Sequence, residues 1–562
     1  VSAFAQITSV HGTVSDEMGP LLGATVCEID GNGRIIESAV TDMNGNFTMK
    51  VRNAGDKIRF SYVGMKSQKL PIDRTSYDVK LESATVLTEV TITAKRRVQG
   101  NGLPVPEREI SYASQSISTK EFEGLGINSV DEALQGRIAG LDIIGNSGDL
   151  GSGSTMRLRG ASSLSSLTNA NPLIVVDNNI RNVDLSNFDM NAANNEKFAE
   201  LLNINPEDIA SITVLKDAAA TAVYGSQGGN GVIELTTKRG VRGKPRLSYS
   251  LKLTGTYQPQ GYDLLNGDDY TMLLKESYFN PTQSDNSSNI PELNYDPSFS
   301  EYQQYNDNTD WRKAVTQVGL RQNHYISVSG GGEKASFRIG SGFDHETGTI
   351  IEQKLNRFST RVALDYNVSE RIRISTNFAL TYTKNDMNSD NLLEIAMKKM
   401  PNMAIYVQDK VTGANTSDYY NMLQSGSDIF KDDQRRYVNP VASAHLAKNE
   451  RRTYDMSPEL VLNYHLLGLN DDHTQLNWRG SVYMNIYNEY SDKFYPSALR
   501  TVPWSDGAGV NTSYSASYKS VSFNTKQTLT FIPAFRNKDH SLMMMGRFEL
   551  TSGSSSGQNT NG

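Results

Sequence analysis

Apolar and polar side chains alternate along segments of about ten residues in the second half of this chain. In residues 371–382 the two faces carry opposite sets: Ile372, Ile374, Thr376, Phe378, Leu380 and Tyr382 against Arg371, Arg373, Ser375, Asn377, Ala379 and Thr381. A period of two residues predicts a β-strand with one apolar and one polar face. In a soluble sandwich the polar face meets bulk water, whereas in a membrane barrel it faces the lumen and the apolar face meets lipid.

Nine such segments follow one another, and the lengths of their connections alternate. The predicted strands are 246–254, 323–330, 334–343, 357–368, 371–382, 459–466, 475–487, 519–531 and 541–550. The connections 331–333, 369–370, 467–474 and 532–540 are short, whereas 255–322, 383–458 and 488–518 are long and 344–356 is intermediate. A barrel with tight turns at one rim and large loops at the other requires this alternation, and a soluble sandwich does not. We therefore predict a partial transmembrane β-barrel over residues 246–562.

The polar faces of these predicted strands carry charges. In residues 357–368, Arg357, Arg361 and Asp365 lie opposite an apolar face. A dry protein interior does not hold unpaired charges. The lumen of the predicted barrel is therefore either wide and wet or filled by a polar plug.

Length and composition limit the classes of protein to which this chain can belong. A chain of 562 residues exceeds one ordinary core, so several domains are expected. The balance of 55 basic and 62 acidic residues gives a net charge of −7 without a strongly basic block, which argues against nucleic acid as a partner. No run reaches the roughly 18 apolar residues of a spanning helix, so any membrane passage is expected to use a barrel.

The first 82 residues divide into two parts. Residues 1–6 contain the small-x-small pattern of a signal-peptide cleavage site, and we interpret them as a signal-peptide remnant. Residues 7–82 predict a small β-sandwich, because β-rich runs at 24–29, 47–51 and 57–62 are separated by turn-forming clusters. The cluster at 42–46 does not fit an EF-hand loop and predicts a hairpin turn rather than a calcium site. The single cysteine, Cys27, is expected to be a buried thiol.

Residues 83–111 predict a polar linker that contains Pro104, Pro106 and one β-prone island at 87–94. An isolated strand inside a linker has nothing to pair with. The island is therefore either the last strand of the sandwich or a segment that pairs with a strand from a partner. Its position in the linker favours the second interpretation.

The pattern becomes mixed α/β over residues 112–240. Ser129 and Glu132 form a capping box that predicts a helix running to Gly140. Residues 173–176 and 208–216 predict short strands, and Asp217 is expected to cap the alanine-rich turn at 218–224. These features predict a compact globular domain with exposed loops.

No catalytic or metal-binding pattern stands out. The seven histidines show no metal-ligand spacing, and the glycine-rich stretch 145–153 lacks the ending of a phosphate loop. No serine occupies a G-x-S-x-G elbow between a strand and a helix. The sequence therefore predicts neither an enzyme nor a bound cofactor.

The run at 205–226, Asn-Pro-Glu-Asp-Ile-Ala-Ser-Ile-Thr-Val-Leu-Lys-Asp-Ala-Ala-Ala-Thr-Ala-Val-Tyr-Gly-Ser, closely resembles the plug signature of SusC/RagA-type TonB-dependent outer-membrane transporters. Residues 156–160, 171–177, 229–233 and 236–240 continue the resemblance, and residues 311–312 and 327–332 resemble the first barrel hairpin of the family. Residues 41–47 resemble the carboxypeptidase-regulatory-like module that many members carry. The chain departs from the family at Asn178 and Asn179, where glycine is usual, and at Gln227, where arginine is common.

The resemblance implies a mainly β fold with three parts: an N-terminal β-sandwich, an α/β plug domain and the first strands of an antiparallel transmembrane β-barrel. Nine strands is an odd number, whereas the family implies about twenty-two. Residues 552–562 are expected to form a loop. We therefore expect the chain to be roughly the first half of a transporter, whose other strands are missing from this chain or supplied by a separate one.

The resemblance also implies TonB-dependent active import of a nutrient, a glycan oligomer or a peptide, across the bacterial outer membrane. The periplasmic protein TonB would displace the plug by pulling on a Ton box, although the chain lacks the Gly-Tyr-Gly tail of many relatives. The expected Ton box residues are Thr88, Glu89, Val90, Thr91, Ile92, Thr93 and Ala94. Further implied partners are outer-membrane lipid and a SusD-like surface lipoprotein. The alternative is a secreted, soluble β-rich adhesion or scaffold protein.

Substrate contacts are expected in the plug loops. Arg157 and Arg159 are candidates for an anionic substrate, with bonds to the barrel wall as the alternative role. Ser163 and Ser165 are candidates in the serine-rich stretch 161–169. The asparagine- and tyrosine-rich region 401–424 is a further candidate lining, although any one tyrosine there is expected to serve loop packing.

Overall fold

The computed structural model describes residues 8–562 except for 17–18, 32, 63–64, 82–96, 99–104, 107–113, 122–126, 128, 146–147, 161–170, 182–203, 285–289, 291, 294–297, 299–300, 422–433, 435, 470–472, 501–508 and 536–541. The chain divides into two compact units, Val1–Gln99 with Pro104–Glu109, and Gly100–Leu103 with Ile110–Gly562. Within the described ranges, no helix has both the length and the apolar character needed to cross a membrane.

The first unit is a small β-sandwich. Its strands are β1 (Ser9–Ser15), β2 (Thr25–Ile29), β3 (Ile35–Val40), β4 (Asn46–Lys50), β5 (Lys57–Ser61), β6 (Gln68–Pro71), β7 (Ser76–Lys80) and the short pair β8 (Arg97–Val98) and β9 (Val105–Pro106). One sheet has the order β4-β1-β7 and the other the order β3-β2-β5-β6. Burial alternates along β4 and β7, so each strand gives one face to a core that contains Val26, Phe47 and Phe60. The three predicted strands are confirmed, and Cys27 is a buried free thiol.

The cluster at 42–46 is the predicted hairpin turn. The Asp42 carboxylate accepts hydrogen bonds from the backbone N–H groups of Asn46 (2.8 Å) and Asn44 (2.9 Å). These bonds, above all the one from Asn46, hold the pKa of Asp42 below its ordinary value. Among the described residues, no group of histidine, cysteine and acidic side chains is arranged to hold a metal ion.

The second unit begins with the α/β domain that the sequence predicts as a plug. Its strands are β10 (Ser114–Ser118), β11 (Leu141–Gly145), β12 (Ser154–Leu158), β13 (Leu173–Val176), β14 (Asn179–Arg181), β15 (Ile209–Leu215) and β16 (Val232–Thr237). Its helices are α1 (Val130–Leu134), α2 (Ala218–Thr221) and 3-10 turns at Thr119–Glu121, Pro206–Asp208 and Ala222–Gly228. Five strands form a sheet in the order β10-β15-β16-β13-β14, and β11 pairs with β12. Ile174, Ile212 and Ile233 pack with Val130 and Met156 in one core.

One local prediction in the plug is wrong, and another holds only in part. The side chain of Ser129 caps α1 as predicted, but the helix ends at Leu134 rather than at Gly140. Gly136 has a φ of 71°, which a right-handed helix cannot continue through. Asp217 is the N-cap residue of α2 as predicted, but its side chain makes no capping bond, and its carboxylate pairs with Arg159.

Nine long strands of the second unit form one antiparallel sheet, which we call the wall. The remaining strands of the chain are β17 (Gly243–Thr256), β18 (Gly319–Gly331), β19 (Ala335–Thr347), β20 (Lys354–Asn367), β21 (Ile372–Asp386), β22 (Tyr406–Gln408), β23 (Asn415–Tyr419), β24 (Lys448–Leu467), β25 (Gln475–Tyr495), β26 (Thr512–Ile532) and β27 (Met544–Asn561). All of them except β22 and β23 belong to the wall and follow one another in chain order. Each of the nine predicted segments is therefore a strand, whereas the strand count of a closed barrel stays a prediction.

The two faces of the wall differ as the alternation predicts. On one face large apolar side chains are exposed, such as Leu247 at 69%, Leu460 at 50% and Phe358 at 41%. On the other face polar side chains are buried, such as Arg361 at 7% and Asn377 at 8%. An apolar outer face and a polar inner face are the arrangement of a membrane barrel.

The predicted loop at 552–562 is wrong, because β27 continues to Asn561. Its ladder with β26 runs from Met544 opposite Phe531 to Asn561 opposite Tyr514. The hydrogen bonds of a ladder join backbone groups, which serine and glycine supply as well as valine does. The neighbouring strand therefore overrides the weak strand propensity of these side chains.

The two longest connections, 257–318 and 387–447, pack together at one rim of the wall into a structure that we call the lobe. It contains α3 (Gly267–Thr282), α4 (Trp311–Val315), α5 (Leu392–Lys398), α6 (Pro440–Leu446) and the hairpin β22–β23. Trp311 is buried in its core and donates from Nε1 to the Met400 carbonyl at 2.8 Å. Tyr420, in the tyrosine-rich region, is buried and donates to the Tyr305 hydroxyl at 2.8 Å, so this tyrosine serves loop packing.

Candidate functional site

The plug lies against the polar face of the wall. In β14, Arg181 donates to the Asp455 carboxylate in β24 at 2.6 Å. Asn179, at the start of β14, donates to Glu459 in the same wall strand at 2.8 Å. Two contacts from the short strand β14 thus reach the single wall strand β24. These two strands lie far apart in the chain, and no local sequence pattern predicts that they meet.

The turn between β13 and β14 adds further contacts. Asp177 and Asn178 adopt left-handed φ values of 49° and 70°, which aspartate and asparagine tolerate better than most residues, so this turn forms without the glycine usual in the family. The Asp177 carboxylate accepts from the Thr237 hydroxyl at 2.7 Å within the plug and from Asn377 of the wall at 3.0 Å. Lys526 of β26 donates to the Asn178 carbonyl at 2.6 Å.

The charges that the sequence places in the lumen are buried against the plug. Arg361 lies 3.5 Å from the Asp177 carboxylate, and Asp365 lies 3.2 Å from the Arg239 guanidinium. Both wall side chains are less than one-tenth exposed. The lumen along these strands is therefore filled by a polar plug, which is one of the two arrangements that the sequence allowed.

A second group of contacts surrounds Asp208, just before β15. The Tyr325 hydroxyl donates to the Asp208 carboxylate, and Arg338 donates to the same hydroxyl at 3.0 Å. Gly340 permits this approach, because a Cβ atom there would lie 2.6 Å from the carboxylate. Burial raises the pKa of Asp208 above its ordinary value, although Arg361 and the other donors favour the charged form.

A cavity of about 480 Å³ lies where the plug loop 148–152 meets the wall and the lobe. Asp149 in this loop accepts from Gln353 at 2.9 Å, and the Leu150 carbonyl accepts from Asn385 at 2.8 Å. A volume of this size is typical of a site for a small ligand. The cavity is the candidate ligand site of the described chain.

Amide side chains dominate the polar lining of this cavity: Asn385, Asn388, Asn391, Asn449, Gln258 and Gln353. The sequence alone does not single out these residues, because asparagine and glutamine are common in any exposed loop. The available signal was the run 385–391, which has three asparagines within seven residues. Only folding brings the asparagines of this run next to the plug loop 148–152.

Comparisons with known proteins agree with this geometry. Residues 106–232 match the TonB-dependent Receptor Plug Domain, and residues 10–92 match the CarboxypepD_reg-like domain. The chain is 30% identical over 371 residues to the TonB-dependent receptor SusC of Bacteroides thetaiotaomicron, which covers 65% of this chain and 32% of that protein. TonB-dependent receptor P3 of Formosa agariphila is 26% identical over 562 residues, covering 97% of this chain and 48% of its own length. The chain belongs to the SusC/RagA-type TonB-dependent receptors.

Solved structures show the same fold for this SusC/RagA-type chain. The RagAB peptide importer in its closed-closed state superposes with a TM-score of 0.62 at 19% identity, covering 81% of this chain and 49% of that chain. The receptor chain therefore spans about a third to about half of the length of these relatives. Family membership places it in the bacterial outer membrane, and its relatives are receptors and transporters rather than enzymes.

Of the predicted substrate residues of this receptor, the structure describes Arg157 and Arg159. Arg159 pairs with Asp217 inside the plug, and Arg157 is exposed on β12, opposite Asp142 in the β11–β12 register. The lining of the described cavity includes neither arginine. Ser163, Ser165 and the expected Ton box at 88–94 lie outside the described residues.

Proposed function

We propose that this receptor chain forms the plug and part of the barrel of a transporter that imports a nutrient across the bacterial outer membrane. The observation that carries the proposal is the polar attachment of the plug to the wall, as in the Arg181–Asp455 pair. A plug attached in this way closes the lumen and can also leave it, because water replaces each polar contact that breaks. A soluble scaffold would gain nothing from a wall whose opposite face exposes apolar side chains.

The work of displacing the plug is proposed to come from TonB, pulling on the Ton box at 88–94. Strand addition offers TonB a row of backbone hydrogen bonds as a mechanical grip, with side-chain specificity only at alternate positions. The β-prone composition of 87–94 and its place in a proline-containing linker support this assignment.

Deletion of residues 89–94 tests the assignment. Uptake of the labelled nutrient by the source bacterium should be lost, while calorimetry on the purified protein should show unchanged ligand binding. Two substitutions at Val90 give a matched comparison of the backbone pairing. Val90→Pro removes the backbone N–H donor, whereas Val90→Thr keeps this donor and the strand propensity. Uptake that persists after the deletion rules out the Ton box.

The nutrient is proposed to be a glycan oligomer or a peptide, captured together with a SusD-like surface lipoprotein. Similarity to SusC and to the RagAB peptide importer supports this proposal. Arg157, Ser163 and Ser165 are proposed ligand contacts of the plug, whereas Arg159 is proposed to stabilise the plug through Asp217. Purification of the complex from its source, with mass spectrometry of the co-purified ligand, identifies the nutrient.

A further inference from the structure

A short basic run connects the plug to the wall. Five of the nine residues 238–246 are lysine or arginine, and no acidic residue lies between Glu234 and Asp263. Arg239, near the start of the run, lies 3.2 Å from Asp365 of the wall. The run thus begins in the contact between plug and wall and continues into the first wall strand, β17.

Backbone packing fixes this run at one rim of the wall. A Cβ atom at Gly240 would lie 2.4 Å from the backbone nitrogen of Phe337, so the chain passes close to the start of β19. Gly243 then pairs with Gly331 at the end of β18. The tight turn 332–334 follows, and short turns mark the periplasmic rim of an outer-membrane barrel. The basic run therefore lies at the periplasmic rim of the wall.

Three exposed cations lie together at this rim, and we call them the basic rim: Arg242, Lys244 and Lys334. Within the part of the chain that the structure describes, none of the three is paired with an acidic side chain. The turn that carries Lys334 contains one exposed acid, Glu333. The basic rim therefore keeps a net positive charge that the described protein does not compensate.

Cations at the opposite rim, beside the lobe, are arranged differently. Lys384 and Lys448 approach the Glu450 carboxylate at 3.1 Å and 3.6 Å, and Arg452 lies 3.1 Å from the same group. Arg452 also pairs with Asp492 at 2.7 Å. Acidic side chains of the protein compensate the cations at the lobe rim, whereas the basic rim is left to interact with a partner.

The basic rim adjoins the apolar outer face of the wall. Val241 is 65% exposed, and Leu247 and Tyr249 of β17 are 69% and 61% exposed. Arg246 precedes Leu247 in the strand and therefore lies on the inner face, away from lipid. Where an apolar face that meets lipid tails ends, the next residues lie at the level of the headgroups. Lysine and arginine side chains at that level extend towards the headgroups.

We propose that the basic rim binds the phosphate groups of anionic phospholipids in the periplasmic leaflet of the outer membrane. Each lysine or arginine close to an anionic lipid surface strengthens attachment about fivefold. Such attachment holds the wall at a fixed depth at the point where the plug joins it. The proposal concerns the membrane and does not depend on the proposed import function.

The test uses the receptor purified in neutral detergent from the outer membranes of its source bacterium. After native lipid is removed, the receptor is mixed with equal amounts of phosphatidylglycerol and phosphatidylethanolamine, and native mass spectrometry counts the molecules of each lipid that stay bound. We expect anionic phosphatidylglycerol to bind about tenfold more tightly than zwitterionic phosphatidylethanolamine. This preference should disappear at about 1 M salt, where charges are screened beyond about 3 Å.

Double variants connect the preference to the basic rim. Arg242→Gln with Lys244→Gln removes two cations and should reduce the preference to about twofold or less. Arg242→Lys with Lys244→Arg keeps both charges and should keep the preference. The matched control is Lys384→Gln with Lys448→Gln, which removes two cations from the lobe rim and should bind lipid like the wild type.

Four results would overturn the proposal. They are equal binding of the two lipids by the wild type, an unchanged preference in the glutamine variant of the basic rim, an equal loss in the control, and a loss in the charge-conserving variant. A preference that persists at about 1 M salt also overturns it, and that measurement requires no variant to fold. Uptake of the nutrient is measured separately, so failure of import and failure of lipid binding are distinguishable.

Discussion

Arg181 of the plug and Asp455 of the wall form an ion pair of 2.6 Å, although 274 positions separate them in the chain. The Arg181 side chain is only 8% exposed. Burial opposes the charge of the guanidinium, but Asp455, with smaller contributions from Tyr483 and Asp177, outweighs this effect and raises the pKa of Arg181 above its ordinary value. The arginine therefore stays charged, and the pair attaches the plug to the wall.

Arg181→Met should loosen the plug. The substitution leaves the Asp455 carboxylate without its cation, and removal of one partner of a buried pair costs about 3–5 kcal/mol. We expect faster hydrogen exchange in β13 and β14 and greater ion leakage through the receptor in planar bilayers. Arg34→Met is the control, because the Arg34 side chain in the Arg34–Asp30 pair is 77% exposed and such pairs contribute little. Exchange and leakage equal to wild type would contradict this role.

Gly340→Ala should disturb the contacts around Asp208. The added methyl group would lie 2.6 Å from the Asp208 carboxylate and would also clash with the Tyr325 hydroxyl. Overpacking of this kind typically costs about 1–3 kcal/mol, which should lower the Tm of the receptor. Gly332→Ala is the matched control, since a Cβ atom at Gly332 meets no atom within 4 Å. An unchanged Tm in Gly340→Ala would show that the plug relaxes around the methyl group.

Lys399 should make the stability of the lobe depend on pH. This side chain is 4% exposed, and burial lowers its pKa from 10.5 to about 7. Between pH 7 and 10.5 the unfolded state holds a proton that the folded state lacks, so stability should rise with pH by at most about 1.4 kcal/mol per unit. The free-energy penalty is therefore fully present below pH 7 and is relieved as the pH increases.

Hydrogen exchange in the lobe between pH 7 and 10.5 measures this dependence after correction for intrinsic exchange rates. Lys399→Met should remove the contribution and protect the lobe more strongly at pH 7. Lys398→Met is the neighbouring control, because Lys398 lies at the surface and pairs with Glu394. A pH dependence that is the same in Lys399→Met and wild type would contradict the assignment.

Arg159→Gln should leave ligand affinity within about twofold of wild type, because Asp217 already binds the guanidinium inside the plug. Its effect should be a small loss of plug stability, since the Arg159 side chain is 55% exposed. Arg157→Gln, on the exposed side of β12, should weaken binding of the co-purified nutrient. Calorimetry with that nutrient compares the two variants, and a larger loss of affinity in Arg159→Gln would reverse the two roles.

The alternation of side chains predicted the wall well because a strand presents opposite faces at every second residue. Residues 371–382 and the eight other segments are strands, and the buried charges Arg361 and Asp365 lie on the predicted inner face. The run at 205–226 identified the plug by resemblance. Local rules failed where a neighbour decided the outcome, as at residues 552–561, where β26 imposes a strand, and held only in part at Asp217, whose carboxylate pairs with Arg159.

The sequence by itself determined the strand order, the two faces of the wall and the family. Only the tertiary structure decided which polar residues of the wall meet which residues of the plug, as Asp455 meets Arg181, and which amides surround the cavity. The physical reason is the range of the interactions. Strand periodicity is a local property of the backbone, whereas an ion pair or a cavity wall depends on packing between segments hundreds of residues apart.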